Sequence, residues 1–166
     1  PPRKTVFPTS TLFPTYDAME TCRSGLEYAE KTGLVRSPTA GGLHAVWGEV
    51  LREWNDLNDA LFHTETGISL CARTGTVAVT GWCYLVLARV LLSRDDLAGA
   101  EAAVSKLERL TRESDLPVWL VDAAPILQAG IHLAQGRPEV AERMLVESQP
   151  EAGTATGRSE EHTSEL

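Results

Sequence analysis

Small, apolar and turn-forming positions recur along this chain with a period of about 40 residues. Trp47-Gly48-Glu49-Val50-Leu51-Arg52-Glu53-Trp54-Asn55-Asp56-Leu57-Asn58-Asp59-Ala60 is echoed by Leu87-Ala88-Arg89-Val90-Leu91-Leu92-Ser93-Arg94-Asp95-Asp96-Leu97-Ala98-Gly99-Ala100. Gly48 aligns with Ala88, Val50-Leu51 with Val90-Leu91, Asn55-Asp56-Leu57 with Asp95-Asp96-Leu97, and Ala60 with Ala100. A weaker third copy puts Ala129, Ile131, Gly136 and Ala141 at the equivalent points. A truncated copy comes first, in which Gly25 to Gly33 parallels Gly67 to Gly75. Self-similarity of this kind marks a solenoid, whose units bury their apolar faces only against their neighbours.

Within each unit the apolar spacing is helical. Asp17 to Lys31 is predicted as a second helix of a pair, with Met19, Cys22, Leu26 and Ala29 as its stripe and Gly33 as its stop. Arg36 to Gly42 reads as a loop. A helix from Leu43 to Glu53 carries His44, Trp47, Val50 and Leu51 on one face, and Asn55-Asp56 turns the chain into a return helix from Leu57 to Arg73, ended by Gly75. The next hairpin pairs Ala78 to Leu92 with Leu97 to Thr111 around Arg94-Asp95-Asp96, with Ala100, Val104, Leu107 and Leu110 inward. The last pairs Val118 to Ala134 with Glu139 to Glu147 around Gly136-Arg137-Pro138, and Pro125 is expected to kink or break its first helix. No stretch alternates like a strand. The fold class is all-α, built of antiparallel helical hairpins, with the small residues Gly48, Ala88, Ala129 and Ala60, Ala100, Ala141 where paired helices approach most closely.

Composition adds limits. The chain of 166 residues has room for one domain, and a net charge of −8 spread over many helical faces argues against direct nucleic-acid contact. Apolar runs fall far short of the ~20 residues that span a bilayer, and no signal-peptide pattern opens the chain, so a cytoplasmic placement is expected. Cys22, Cys71 and Cys83 show no CxxC spacing and read as reduced core thiols. The repeat domain is expected over residues 16–150, with 1–15 non-native or disordered and 151–166 a disordered tail. Arg158 to Leu166 resembles, residue for residue, a translated short-read sequencing adapter, and residues 1–15 resemble the opposite adapter more loosely. The chain is therefore expected to be a piece of a longer protein, with self-association through its open solenoid ends.

No catalytic constellation is visible, so no enzyme activity is expected. His63 and Glu65 diverge on one helix and are expected on a solvated face, without a metal. His44 and His132 read as core or boundary histidines. Asn55-Asp56 and Asp95-Asp96 suit turns and helix caps rather than cations. Trp47, Trp54, Trp82 and Trp119 are candidates for a sugar-stacking surface; Trp47 and Trp54 occupy positions that normally pack, whereas Trp82 is the more open case.

The small residue on each first helix, the Asn/Asp turn and the alanine on each second helix resemble tetratricopeptide repeats. The longer period, together with Glu53-Trp54-Asn55-Asp56-Leu57 and Leu87 to Ala100, resembles the sensor region of large LuxR-type bacterial transcriptional regulators related to MalT. That resemblance implies a right-handed superhelix. It also implies an effector-receiving role for a small molecule, protein or peptide, and an ATPase and a helix-turn-helix in other parts of the full protein. This chain holds no GxxxxGK[ST] loop, so no cofactor is expected here and ATP belongs to an upstream domain. A more general reading is a tetratricopeptide scaffold for protein–protein contacts. In such superhelices the first helix of each pair lines the groove, which points to Glu49, Arg52, Glu53, Trp82, Arg89 and Ser93 as the partner-binding set, suited to a polar ligand.

Overall fold

The computed structural model describes residues 14–72 and 77–148, and within these every regular element is a helix. The helices are α1 (Pro14–Thr32), α2 (Pro38–Glu53), α3 (Leu57–Ala72), α4 (Val77–Ser93), α5 (Leu97–Glu113), α6 (Val118–Ala134) and α7 (Pro138–Ser148). Residues 1–13, 73–76 and 149–166 lie outside the description, and with them the expectations for the first residues and the tail.

The turns predicted from Asn and Asp share one geometry. Asn55 and Asp95 have φ of 61°, Gly33 75° and Gly136 72°. After each, the next amide reaches back five residues: Leu34 N–H to the Ala29 carbonyl (2.7 Å), Asp56 to Leu51 (2.9 Å), Asp96 to Leu91 (3.0 Å) and Arg137 to His132 (2.9 Å). This is the Schellman closure, which requires a left-handed residue and so favours Gly or Asn/Asp. The repeated turn is thus a repeated helix stop. Asp96 then opens α5 by accepting the Gly99 amide at 2.9 Å, as capping chemistry requires.

Two expectations are corrected. Residues 38–42 are helix rather than loop: Ser37 caps α2 by accepting the Ala40 amide (3.1 Å), and Pro38 occupies a first-turn position where its missing N–H costs nothing. The glycines that suggested a loop are there for contact. A Cβ on Gly41 would come within 2.5 Å of Cys71 Sγ and 3.1 Å of the Gly67 carbonyl oxygen. Pro125, in turn, does not break its helix, since α6 continues through it to Ala134.

The hairpins α2–α3, α4–α5 and α6–α7 stack in order, and α1 packs on α2. The small positions lie in the core as expected: Ala60, Ala88 and Ala100 are fully buried and Ala129 and Ala141 nearly so. Leu107, Leu120, Ile131, Val86, Val90 and Val104 fill the space between them. The first helices α2, α4 and α6 touch one another, whereas the second helices α3, α5 and α7 do not. The stack therefore curves with the first helices on its inner side. Adjacent hairpins are also tied at their turns. Arg94, following α4, donates to Asn58 Oδ1 (2.6 Å) and the Leu57 carbonyl on α3, and Gln135, following α6, donates to Glu101 Oε1 on α5 (2.7 Å). Trp119, Ile126 and Leu133 recur every seven residues along α6 and are left half to two-thirds exposed.

Two glycines should respond to substitution with opposite signs. A Cβ on Gly48 would lie 2.3 Å from Thr64 Oγ1 and 3.0 Å from the Ala60 carbonyl oxygen, whereas one on Gly130 meets nothing nearer than 3.8 Å. Gly48→Val should destabilise the chain by about 1–3 kcal/mol through overpacking. Gly130→Ala should stabilise it by up to about 1 kcal/mol through helix propensity. Urea unfolding of both variants measures the contrast.

Candidate functional site

Spacings of three, four and seven residues align Gly42, Val46, Glu49 and Glu53 along α2, and Ala78, Trp82, Arg89 and Ser93 along α4. Both stripes belong to first helices, on the inner side of the stack. The structure divides the six residues singled out from sequence among three neighbourhoods on these two helices.

Four of them form one ionic cluster. Glu49 Oε1 accepts from Arg89 Nη1 at 2.7 Å across the α2–α4 interface, and from Arg52 Nη2 at 3.0 Å on its own helix. Arg52 also pairs with Glu53. The Arg52 and Glu49 side chains retain only 16% and 21% of their exposure, so this pair is partly shielded from solvent, whereas Arg89 and Glu53 remain exposed at 42% and 49%. Hydrogen bonding to Glu49 raises the Arg52 pKa, against the opposing effect of burial. The charges of the set thus satisfy one another instead of standing free for a ligand.

Trp82 sits nearer the amino end of α4, where Gly42, Val46, Ala78, Val79, Trp82 and Trp119 enclose an almost wholly apolar pocket of about 280 Å³. Trp119 meets Trp82 edge to face, centroids 5.2 Å apart at 73°, a favoured aromatic geometry. The Trp82 Nε1 is buried without a hydrogen-bond partner. Ser93 is exposed at the opposite end of α4, in a recess at the repeat turn shared with Asn55, Asn58 and Arg94. Val46 and Val79 were missed from sequence, and Trp119, weighed there only as one of four tryptophans of a stacking surface, was not placed in the groove set. The repeat itself carried the signal for Trp119: with Ala88 equivalent to Ala129, Trp119 takes the place of Ala78 one unit later, on the same inner face.

A second cleft is a correction. His63, expected on a solvated face, is half-buried, and its Nδ1 lies 2.8 Å from Nδ1 of His44, so that α3 and α2 are joined by an imidazole pair. Trp47 stacks on the His63 ring at 4.6 Å and 14°. The pair borders a cleft of about 310 Å³ whose far wall is α1, with Arg23, Glu27 and Glu30. Burial, and secondarily the neighbouring His63, lowers the His44 pKa to about 4. Burial also lowers that of His63, against the pull of Asp59. His44 is the boundary histidine expected, and Glu65 is exposed as expected. Trp54 is corrected as well: placed at the carboxyl cap of α2, it is 44% exposed rather than packed. Among the described residues no group of three or more His, Cys, Asp or Glu could hold a metal ion, and Cys22, Cys71 and Cys83 are buried and form no disulfide.

The imidazole pair gives stability a pH dependence of definite sign. Both pKa values are lowered in the folded chain, so on acidification the unfolded chain takes up protons first. Stability contributed by the pair is complete above about pH 6.5 and is lost as the pH falls towards 4. Because both rings are about half exposed, the loss between pH 7 and 4.5 should be on the order of 1 kcal/mol. Urea unfolding at the two pH values should show this loss reduced in His44→Gln. An unchanged loss in that variant would contradict the assignment.

The comparison with protein families gives one result that spans most of the chain. The family model described as the MalT-like TPR region matches residues 16–162. No curated protein and no solved structure matches the chain. The stacked hairpins, the small residues at their close approaches and the repeated turn stops agree with that match, and the chain belongs to the MalT-like tetratricopeptide-repeat family.

Proposed function

We propose that this repeat region is the sensor module of a LuxR-type, ATP-dependent transcriptional regulator, and that the inner face of α2, α4 and α6 receives its effector. The observation that carries the reading is the apolar pocket of Trp82 and Trp119, on the same face as the partly buried Glu49–Arg52–Arg89 cluster. An open apolar pocket flanked by aromatic rings is the ordinary form of a binding site, with polar groups fixing orientation nearby. The cluster bridges α2 and α4, so a ligand seated in the pocket touches two units whose relative position the cluster holds. Such a ligand is sensed by displacing one hairpin against the next.

In this reading the chain binds and does not catalyse. ATP acts on another domain, DNA is contacted by a third, and the regulator works in the cytoplasm. No helix among the described residues is long and apolar enough to cross a membrane. The apolar lining favours an effector with a hydrophobic face over the wholly polar ligand anticipated from the charges. It equally supports the more general scaffold reading, in which the pocket takes an apolar side chain of a protein partner.

The two readings part on the complete gene: a phosphate-binding loop encoded upstream and a helix-turn-helix downstream support the regulator, and their absence leaves the scaffold. The site itself is tested on a ligand identified by thermal-shift screening of small molecules and peptides. Trp82→Ala and Trp119→Ala should each weaken its binding at least about tenfold, consistent with loss of a buried aromatic anchor. Arg89→Ala should weaken it less, and Glu139→Ala, exposed on α7, should leave it unchanged. Full affinity in both tryptophan variants would remove the pocket from consideration.

A further inference from the structure

The imidazole pair takes no part in the groove. His44 and His63 come from different helices of one hairpin, and their Nδ1 atoms face each other at 2.8 Å with the rings tilted by 31°. This contact requires one ring to donate its N–H and the other to offer a lone pair, so each ring presents Nδ1 to the same point in space. The arrangement is held from outside: Trp47 stacks on one side of His63, and Phe62 meets that ring edge-on at 5.4 Å. The surroundings are acidic. Glu27 and Glu30 line the cleft from α1, and Asp59 lies one turn before His63 on α3. Arg23, which lines the cleft, is tied to Glu20 and Glu27.

We propose that His44 and His63 form a two-imidazole binding site for a borderline transition-metal cation of the Zn²⁺ or Ni²⁺ class, which takes the place of the proton shared between the two Nδ1 atoms. Imidazole nitrogen suits these ions, whereas Mg²⁺ and Ca²⁺ prefer oxygen. On binding, the donor ring moves its Nδ1 proton to Nε2, both Nδ1 lone pairs bond to the metal, and no proton is released from the neutral pair. Metal–nitrogen bonds of ~2.0–2.1 Å at a near-tetrahedral angle place the two nitrogens ~3.3 Å apart. Starting from 2.8 Å, the rings need to separate by only about 0.5 Å. Since no third protein ligand is in place among the described residues, water completes the coordination inside a cleft of about 310 Å³. Glu27 and Glu30 supply the compensating charge. The lowered pKa values leave both rings neutral, and so able to coordinate, at pH 7. A bound ion pins α2 to α3 and draws the acidic wall of α1 towards them, a linkage distinct from the groove between α4 and α6.

The test is a titration of the full chain with NiCl₂ at pH 7.5, followed by calorimetry and by tryptophan fluorescence. The expected result is one ion bound per chain, with quenching that disappears in Trp47→Phe while the calorimetric binding persists. His44→Gln and His63→Gln should each weaken binding at least about tenfold, a loss comparable to or larger than that of second-shell groups. His132→Gln and His162→Gln should bind as the unaltered chain does. Circular dichroism of each variant confirms that the helices are retained, and the glutamines keep a hydrogen-bonding group at both positions. The proposal is overturned if the unaltered chain binds no Ni²⁺. It is equally overturned if folded His44→Gln and His63→Gln bind as tightly as the unaltered chain, or if binding is lost instead on replacing Cys22, Cys71 or Cys83.

Discussion

The close approach of paired helices at small residues is the constraint on which the rest of the molecule depends. Thr64 Oγ1, bonded to the Ala60 carbonyl at 2.7 Å, occupies the space where a Gly48 side chain would begin. Gly41 lies equally close to Cys71 and Gly67. With the backbones this near, the leucines and valines on either side interdigitate at crystal-like density, and each hairpin becomes a thin, rigid plate. Plates of similar thickness stack regularly, which is why the small positions repeat at the period of the chain. Enlarging one of them thickens one plate and disturbs its contact with the next.

The character of the inner face follows from that stacking. First helices touch one another and second helices do not, so the inner side is crowded and collects side chains from three units. Crowding brings Glu49 and Arg89 together across 40 positions of sequence and seats Trp119 against Trp82. It also explains why the charges there are paired: an isolated charge at this depth would lose hydration without compensation. What remains open is the apolar part of the face, where Gly42 and Ala78 are too small to fill the space beside the two indoles. The histidine cleft arises on the other side of α2, where α1 leaves room in front of His44 and His63.

Helices, turns and close approaches were legible in the sequence because they rest on local chemistry. Asn55 and Asp95 announce left-handed turn positions by residue type, and the structure gives both a φ of 61°. Ala60, Ala100 and Ala141 announce tight packing by size and period, and all three are buried. The start of α2 was not legible in this way. Gly41-Gly42 carries the local signature of a loop, and only contact with α3 and α4 reveals that glycine is needed there within a helix.

The candidate sites show the same division. From the sequence alone came the all-α repeat and the family to which it belongs, while the inner face of the first helices was an expectation carried by the resemblance. Tertiary structure alone decided what that face offers. Arg52 pairs with Glu49 along its own helix, but only the stacking distance between α2 and α4 brings Arg89 onto the same carboxylate. His44 and His63 are unremarkable on their own helices. They become a pair because the α2–α3 packing holds two imidazoles within hydrogen-bond reach, and a distance between helices is not written in the spacing of either one.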